Sequence, residues 1–101
     1  MTKKIILASH GRFASGMLSA AKMIIGELEG VDSFDLEDYE SPYEIYKNIE
    51  QAMKKENDAT FLILTDLLGG SVNNQLLELC ANKNVYVIAG ANLGILLELY
   101  L

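Results

Sequence analysis

The sequence predicts an α/β fold: a three-layer sandwich with a parallel four-stranded sheet in the order 2-1-3-4 and helices on both faces. Three observations predict it. Short apolar runs alternate with stretches of helical period along the whole chain, the β-α-β-α-β-α-β-α pattern of a parallel sheet covered by helices. The runs around Ile5 and Ile63 are continuously apolar, as strands buried on both faces are. The second run alternates apolar with acidic residues, which marks an edge strand. With that strand outermost, right-handed crossovers favour the order 2-1-3-4.

Lys4–Ser9 is the first predicted strand. Phe13, Met17, Ala20, Ala21, Ile24 and Leu28 then recur at steps of three and four and form one helical stripe, which Gly30 ends. Ser33–Glu37 alternates, with Phe34 and Leu36 between Ser33, Asp35 and Glu37. Ser41-Pro42-Tyr43-Glu44 reads as a capping box with proline at the first helical position. Ile45, Ile49, Ala52 and Met53 are the buried stripe of that second helix, and Lys54-Lys55 suit its C-terminal end. Thr60–Thr65 is the third strand. Gly69-Gly70-Ser71 leads into a helix with Leu76, Leu77, Leu79 and Cys80, on which Cys80 is expected in the core. Asn84–Ala89 is the fourth strand, Gly90-Ala91 a turn, and Asn92 the cap of a last helix that ends at Leu101.

Composition narrows the function. A chain of 101 residues, half of them hydrophobic, is expected to be one globular domain over 1–101. Eight Lys plus Arg against fourteen Asp plus Glu give a net charge of −6, which repels a phosphate backbone and argues against nucleic acid as partner. No apolar run approaches the roughly 18 residues of a membrane span. Met1-Thr2-Lys3-Lys4 imitates the start of a signal peptide, but the apolar stretch behind it is too short. One cysteine and one histidine make neither an internal disulfide nor a protein-only zinc site. A soluble, cytoplasmic protein without metal or organic cofactor is expected.

In this topology the chain reverses direction between strands one and three, and chemistry sits outside their carboxyl ends. Ser9-His10-Gly11-Arg12 and Asp66-Leu67-Leu68-Gly69-Gly70-Ser71 fall there. His10, the only histidine, can be a plain surface residue. Yet Asp66 holds the equivalent place on the neighbouring strand. A carboxylate that accepts the proton of one ring nitrogen fixes the tautomer and leaves the other nitrogen a free lone pair. Gly69 and Gly70 permit a tight turn, and Ser71 reads as the cap of a helix whose free N–H groups could meet an anion. The plain alternative is a strand-to-helix turn with a good cap. Arg12 can pair with phosphate, pair with a partner's acid, or stay solvated. One nucleophile, one orienting acid and one anion cradle suffice to accept and pass on a phosphoryl group.

Other groups offer less. Asp32, Asp35, Glu37, Asp38 and Glu40 read as a solvated acidic edge. Tyr39, Tyr43 and Tyr46 suit half-buried packing or a contact surface. Asn73 and Asn74 follow the glycines with no assigned role. The last helix carries Leu93, Ile95, Leu96, Leu97, Leu99, Tyr100 and Leu101, more apolar surface than one face can bury, so a homodimer is expected.

The chain resembles the IIA component of the mannose-family sugar phosphotransferase system (PTS). The resemblance rests on Ile5-Ile6-Leu7-Ala8-Ser9-His10-Gly11-Arg12-Phe13-Ala14-Ser15-Gly16, on Leu64-Thr65-Asp66-Leu67-Leu68-Gly69-Gly70-Ser71, and on Val87-Ile88-Ala89-Gly90-Ala91-Asn92-Leu93, in the family's order and spacing. It implies that Nε2 of His10 accepts phosphate from the histidine-containing phosphocarrier protein HPr and hands it to the IIB component. Asp66 would bond the other ring nitrogen, and Ser71 would lie by the phosphoryl group. It also implies homodimers that meet the membrane only through the transporter complex. The family's Gly-Gly-Ser-Pro-Phe-Asn reads Gly69-Gly70-Ser71-Val72-Asn73-Asn74 here, and its Asn-Leu-Pro-Met reads Asn92-Leu93-Gly94-Ile95. The family pattern runs on beyond this chain with a further strand and helix, the strand exchanged between dimer partners.

Rival readings lack residues. A receiver domain needs acids at the end of strand one for magnesium, where this chain has Ala8-Ser9-His10. A histidine phosphatase needs a second histidine. A flavodoxin-like binder would use the same crevice without a covalent histidine. A phosphorylation-sensing regulatory domain of the same fold, and the phosphodonor subunit of a dihydroxyacetone kinase, remain as alternatives. The transported sugar is not written in the chain.

Overall fold

A computed structural model describes residues 2–101. Four parallel strands form one sheet in the order β2-β1-β3-β4, as the sequence predicts. They are β1 (Lys3–Ser9), β2 (Val31–Asp35), β3 (Thr60–Thr65) and β4 (Val85–Ala89). The helices are α1 (Phe13–Ile25), α2 (Pro42–Lys55), α3 (Ser71–Leu76) and α4 (Leu93–Tyr100), with 3-10 turns at Leu36–Asp38 and Leu77–Ala81. No helix among the described residues is long and apolar enough to cross a membrane.

Alternate side chains of the central strands feed two cores, one on each face. Ile6, Ala8, Phe61 and Ile63 pack with Ile45, Ile49 and Met53 of α2 and with Val72 and Leu76 of α3. Ile5, Leu7 and Leu64 pack with Ala14, Met17 and Ala21 of α1 and with Leu96 of α4. The central strands are therefore apolar on both sides, which is why they lack alternation.

Several boundaries and faces differ from expectation. Helix α1 ends at Ile25, where Gly26 takes φ +85°; Gly30 (φ +75°) instead turns the chain into β2. In the buried stripe of α1, Met17 and Ala21 stand as expected, but Ala14 joins them in place of Phe13, and Phe13 and Ile24 are exposed. Its rotation is set at the start, where Ala14 N–H donates to the buried Ser9 hydroxyl at 2.7 Å. Small alanines then face the sheet. Strand β2 starts two residues early, and Asp35, expected outside, is buried. Ser41 does precede Pro42 as N-cap, but its side chain makes no capping bond; Glu44 N–H donates to the Ser41 carbonyl instead. Cys80 is exposed rather than core, because the change to 3-10 winding at Leu77 brings Leu76 and Leu79 inward and turns Cys80 out.

Asn92 caps α4 as expected, accepting from Ile95 N–H at 2.9 Å. Helix α4 leaves less apolar surface open than its sequence suggests. Leu93, Ile95, Leu97, Leu99 and Tyr100 all pack partly on the core, and Leu101 is the large side chain left exposed.

Candidate active site

The register carries β1 and β3 to their ends side by side, with Ala8 opposite Thr65. His10 and Asp66 therefore leave the sheet as neighbours. One carboxylate oxygen, Asp66 Oδ2, accepts from the His10 backbone N–H at 2.9 Å and lies 3.0 Å from His10 Nδ1. The other ring nitrogen, Nε2, lies 3.2 Å from the Ser71 hydroxyl. His10 is thus gripped at both nitrogens, yet its side chain is 45% exposed while that of Asp66 is 17% exposed. A partner can reach the ring but not the carboxylate behind it.

Burial alone would raise the Asp66 carboxyl, but the hydrogen bonds from the His10 backbone and ring outweigh it and hold the group below its ordinary value. Asp66 is then an anion at neutral pH. An anion at Nδ1 favours the tautomer with the proton there, in which Nε2 carries the lone pair and the Ser71 hydroxyl is its donor.

The turn between β3 and α3 is shaped for that ring. Gly69 takes φ +82°, which side chains disfavour. At Gly70 a Cβ would stand 3.2 Å from His10 Cε1 and 3.2 Å from the Leu67 carbonyl oxygen, so hydrogen is the side chain that lets the ring lie against the backbone. Gly70 is also the N-cap of α3, and Ser71, expected as the cap, is the first helical residue. That shift frees the Ser71 hydroxyl from capping and leaves it for His10.

Arg12 goes elsewhere. Its Nε lies 3.0 Å from Glu37, its Nη2 3.0 Å from Asp38, and its Nη1 3.5 Å from Asp35. The Asp38 hydrogen bond and charge come first in raising the guanidinium above its ordinary value, with the Glu37 charge next. Of the acids expected as a solvated edge, Asp35, Glu37 and Asp38 therefore form an ion-pair cluster with Arg12, while Asp32 and Glu40 are exposed as expected. Asp35 also accepts from Ser15 N–H at 2.9 Å, so two residues outside α1, Ser9 and Asp35, satisfy its first amides. Sequence reasoning passed over both. Ser9 carried a signal, a polar residue ending an apolar strand; Asp35 carried none, because alternation placed it outside.

Asn74 donates to the Gly69 carbonyl at 3.0 Å, and Asn73 is buried. Three large apolar side chains stand exposed beside the ring's two chain segments: Phe13 at the start of α1, and Leu67 and Leu68 on the turn between β3 and α3. A depression of about 500 Å³ between α1 and β2 is lined by Ser15, Leu18, Ser19, Lys22, Met23 and Ser33 and does not include His10. The histidine sits on an open face, which suits exchange between proteins better than enclosure of a small molecule. Among the described residues no three His, Cys, Asp or Glu groups are placed to hold a metal ion.

Known proteins share this fold. The family pattern described as "PTS system fructose IIA component" matches residues 4–101. The chain is 35% identical over 102 residues to the PTS system mannose-specific EIIAB component of Escherichia coli (strain K12), covering 97% of this chain and 31% of that protein. It therefore spans about a third of the length of those EIIAB relatives. It is 33% identical to the PTS system sorbose-specific EIIA component of Lacticaseibacillus casei, covering 94% of this chain and 70% of that one. A solved structure, the PTS IIA protein associated with the fucose utilization operon of Streptococcus pneumoniae, superposes with a TM-score of 0.83 at 35% identity, over 98% of this chain and 76% of that one. The chain belongs to the mannose-family IIA components of the PTS. As a class, these are phosphotransferases of sugar transport.

Proposed function

We propose that the protein is a phosphohistidine carrier: Nε2 of His10 accepts a phosphoryl group from HPr and passes it to a IIB component. The observation that carries this reading is the double grip on one imidazole, Asp66 at Nδ1 and Ser71 at Nε2. Nε2 attacks the phosphorus of the donor's phosphohistidine. The donor's N–P bond breaks and its electron pair returns to the donor ring. The His10 ring gains positive charge as the new N–P bond forms, and the Asp66 carboxylate offsets it across the Nδ1 proton. The Ser71 hydroxyl turns from Nε2 to a phosphoryl oxygen, with the Gly69–Gly70 backbone beside it. Phosphate arrives on an already activated nitrogen, so positioning is the main task and no metal or organic cofactor is invoked.

Phe13, Leu67 and Leu68 form the apolar contact for both partners, and the net charge of −6 favours basic ones. The reading includes a single domain over 1–101, a cytoplasmic location, contact with the membrane only through the transporter complex, and a homodimer. The relatives carry mannose, sorbose and fucose in their descriptions, so the sugar is left open.

The test is intact-mass measurement after incubation with phosphoenolpyruvate, enzyme I and HPr. One acid-labile phosphoryl adduct is expected, and none in His10→Ala. An adduct that survives acid, or that forms in His10→Ala, overturns the reading.

A further inference from the structure

Carrier chemistry leaves Asn73 without a role, although it is 1% exposed and flanked by the fully buried Val72 and Leu76. An amide among apolar side chains is costly unless its groups are paired. Its Oδ1 accepts from the equally buried Thr65 hydroxyl at 2.6 Å. Its Nδ2 has no partner. Among the described residues one other buried side-chain polar atom is unpaired, Asp66 Oδ1. One orphan is a donor and the other an acceptor. They are close in connectivity too, since Thr65, which holds Asn73, is the residue before Asp66.

The position matters because Asp66 and Ser71 hold opposite nitrogens of the same ring from two different elements. Whatever fixes the end of β3 against the first turn of α3 fixes the ring. The Thr65–Asn73 bond is such a tie, and it is shielded from water. A carboxylate also rotates about its own axis, and Oδ2 stays on His10 more firmly when Oδ1 has a donor. We propose that Asn73 is a positioning residue of this site: held by Thr65, it ties the turns that carry Asp66 and Ser71, and its spare amide N–H serves Asp66 Oδ1 through one water.

The rate consequence rests on the carrier reading, whereas the effect on the His10 ring does not, and the experiment separates them. ¹⁵N NMR of the full chain reports the His10 tautomer, rapid-quench kinetics the transfer from phosphorylated HPr, and thermal melting the fold. In Thr65→Val/Asn73→Leu both polar partners are replaced together, so the melt should stay near wild type. The Nε2-protonated tautomer should grow at the expense of the Nδ1-protonated one, and transfer should slow about ten-fold, as when supporting partners of a site are lost. A folded double variant with wild-type tautomer overturns the proposal, whatever its rate. A tautomer shift in a protein whose wild type takes no phosphate would uphold the positioning and sink the carrier reading instead. Should the double variant not fold, Asn73→Met decides: its thioether sulfur can still accept weakly from Thr65 but has no hydrogen to donate toward Asp66. It should show the same tautomer loss, and wild-type behaviour there overturns the proposal.

Discussion

His10 and Arg12 stand two residues apart on one turn and are held in opposite ways. Arg12 spreads its guanidinium over three carboxylates, Asp35, Glu37 and Asp38, so its charge is already neutralised by the chain's own acids. His10 has one acid behind it and one hydroxyl in front. The hydroxyl is a neutral, rotatable partner that an incoming group can displace. The first arrangement fastens a helix start to an edge strand; in the proposed carrier, the second keeps a nucleophile ready. The number of charges around a side chain is therefore no guide to its chemistry. What counts is which contacts can be exchanged.

The largest expected effect comes from breaking the contact that must not exchange. Asp66→Asn is nearly isosteric, so strand β3 and the Gly69–Gly70 turn should survive. The amide can donate where the carboxylate only accepts, which favours the wrong tautomer, and it removes the charge that offsets the ring during attack. Loss of the orienting aspartate in a serine-protease triad costs about four decades. The donor here is already activated, so about two to three decades are expected by that analogy. Rapid-quench kinetics with circular dichroism as the fold control checks it; a folded variant at near wild-type rate would show that Asp66 does not orient His10. The same pair has a pH signature. A carboxyl held below its ordinary value in the folded protein stabilises the fold above the unfolded carboxylate's pKa, and that stability is lost as pH falls through the depressed value. Wild type should melt above Asp66→Asn at neutral pH, and the gap should close on acidification through that window.

A smaller effect is expected from crowding the ring. Gly70 has φ −71°, which any residue accepts, so Gly70→Ala tests space rather than backbone strain. Its Cβ would lie 3.2 Å from His10 Cε1. The ring must yield by a few tenths of an ångström, which loosens its contacts with Asp66 and Ser71. A loss of about ten-fold in transfer is expected, since displacement of about 1 Å can cost a hundred-fold. The melting temperature should change little. Unchanged transfer would show that the ring has room to spare.

The comparison also separates what was legible in the sequence from what was not. Strand order followed from one alternating run and the handedness of crossovers, and it named the end of the sheet at which His10 and Asp66 meet. Their pairing was legible because both follow buried strands directly, so the register alone makes them neighbours. Ser71 was misread as a cap because capping statistics describe serine in isolation, while here the glycine before it takes that position. The fate of Arg12 was hidden for another reason. Its partners come from Asp35–Asp38, more than twenty residues away, and their approach depends on where β2 ends and the 3-10 turn begins. Alternation put Asp35 on the outside; the packing of α1 against the sheet edge put it inside. Cys80 failed on a change of helical winding that no residue in the segment announces.

The smallest effect is expected where the two side chains differ most, at Arg12 itself. Arg12 is 58% exposed, and exposed ion pairs contribute little however many oxygens they meet. Arg12→Gln should leave melting almost unchanged and slow phosphoryl transfer by no more than about five-fold, the range of one surface pair. Asp35→Ala is the contrast within the same cluster. It removes a buried acceptor and strands the Ser15 N–H at the start of α1, so it should destabilise by about 1–3 kcal/mol. The opposite ranking belongs to a different role for the arginine. If the guanidinium leaves its acids to clamp the phosphoryl group, Arg12→Gln removes a charged donor from developing negative charge, and a loss of about a hundred-fold is due. Rates from phosphorylated HPr for Arg12→Gln, set beside melting curves for both variants, therefore assign the residue. A small rate change with Asp35→Ala as the less stable variant makes Arg12 the fastening of the edge strand, and a hundred-fold loss makes it part of the phosphate cradle.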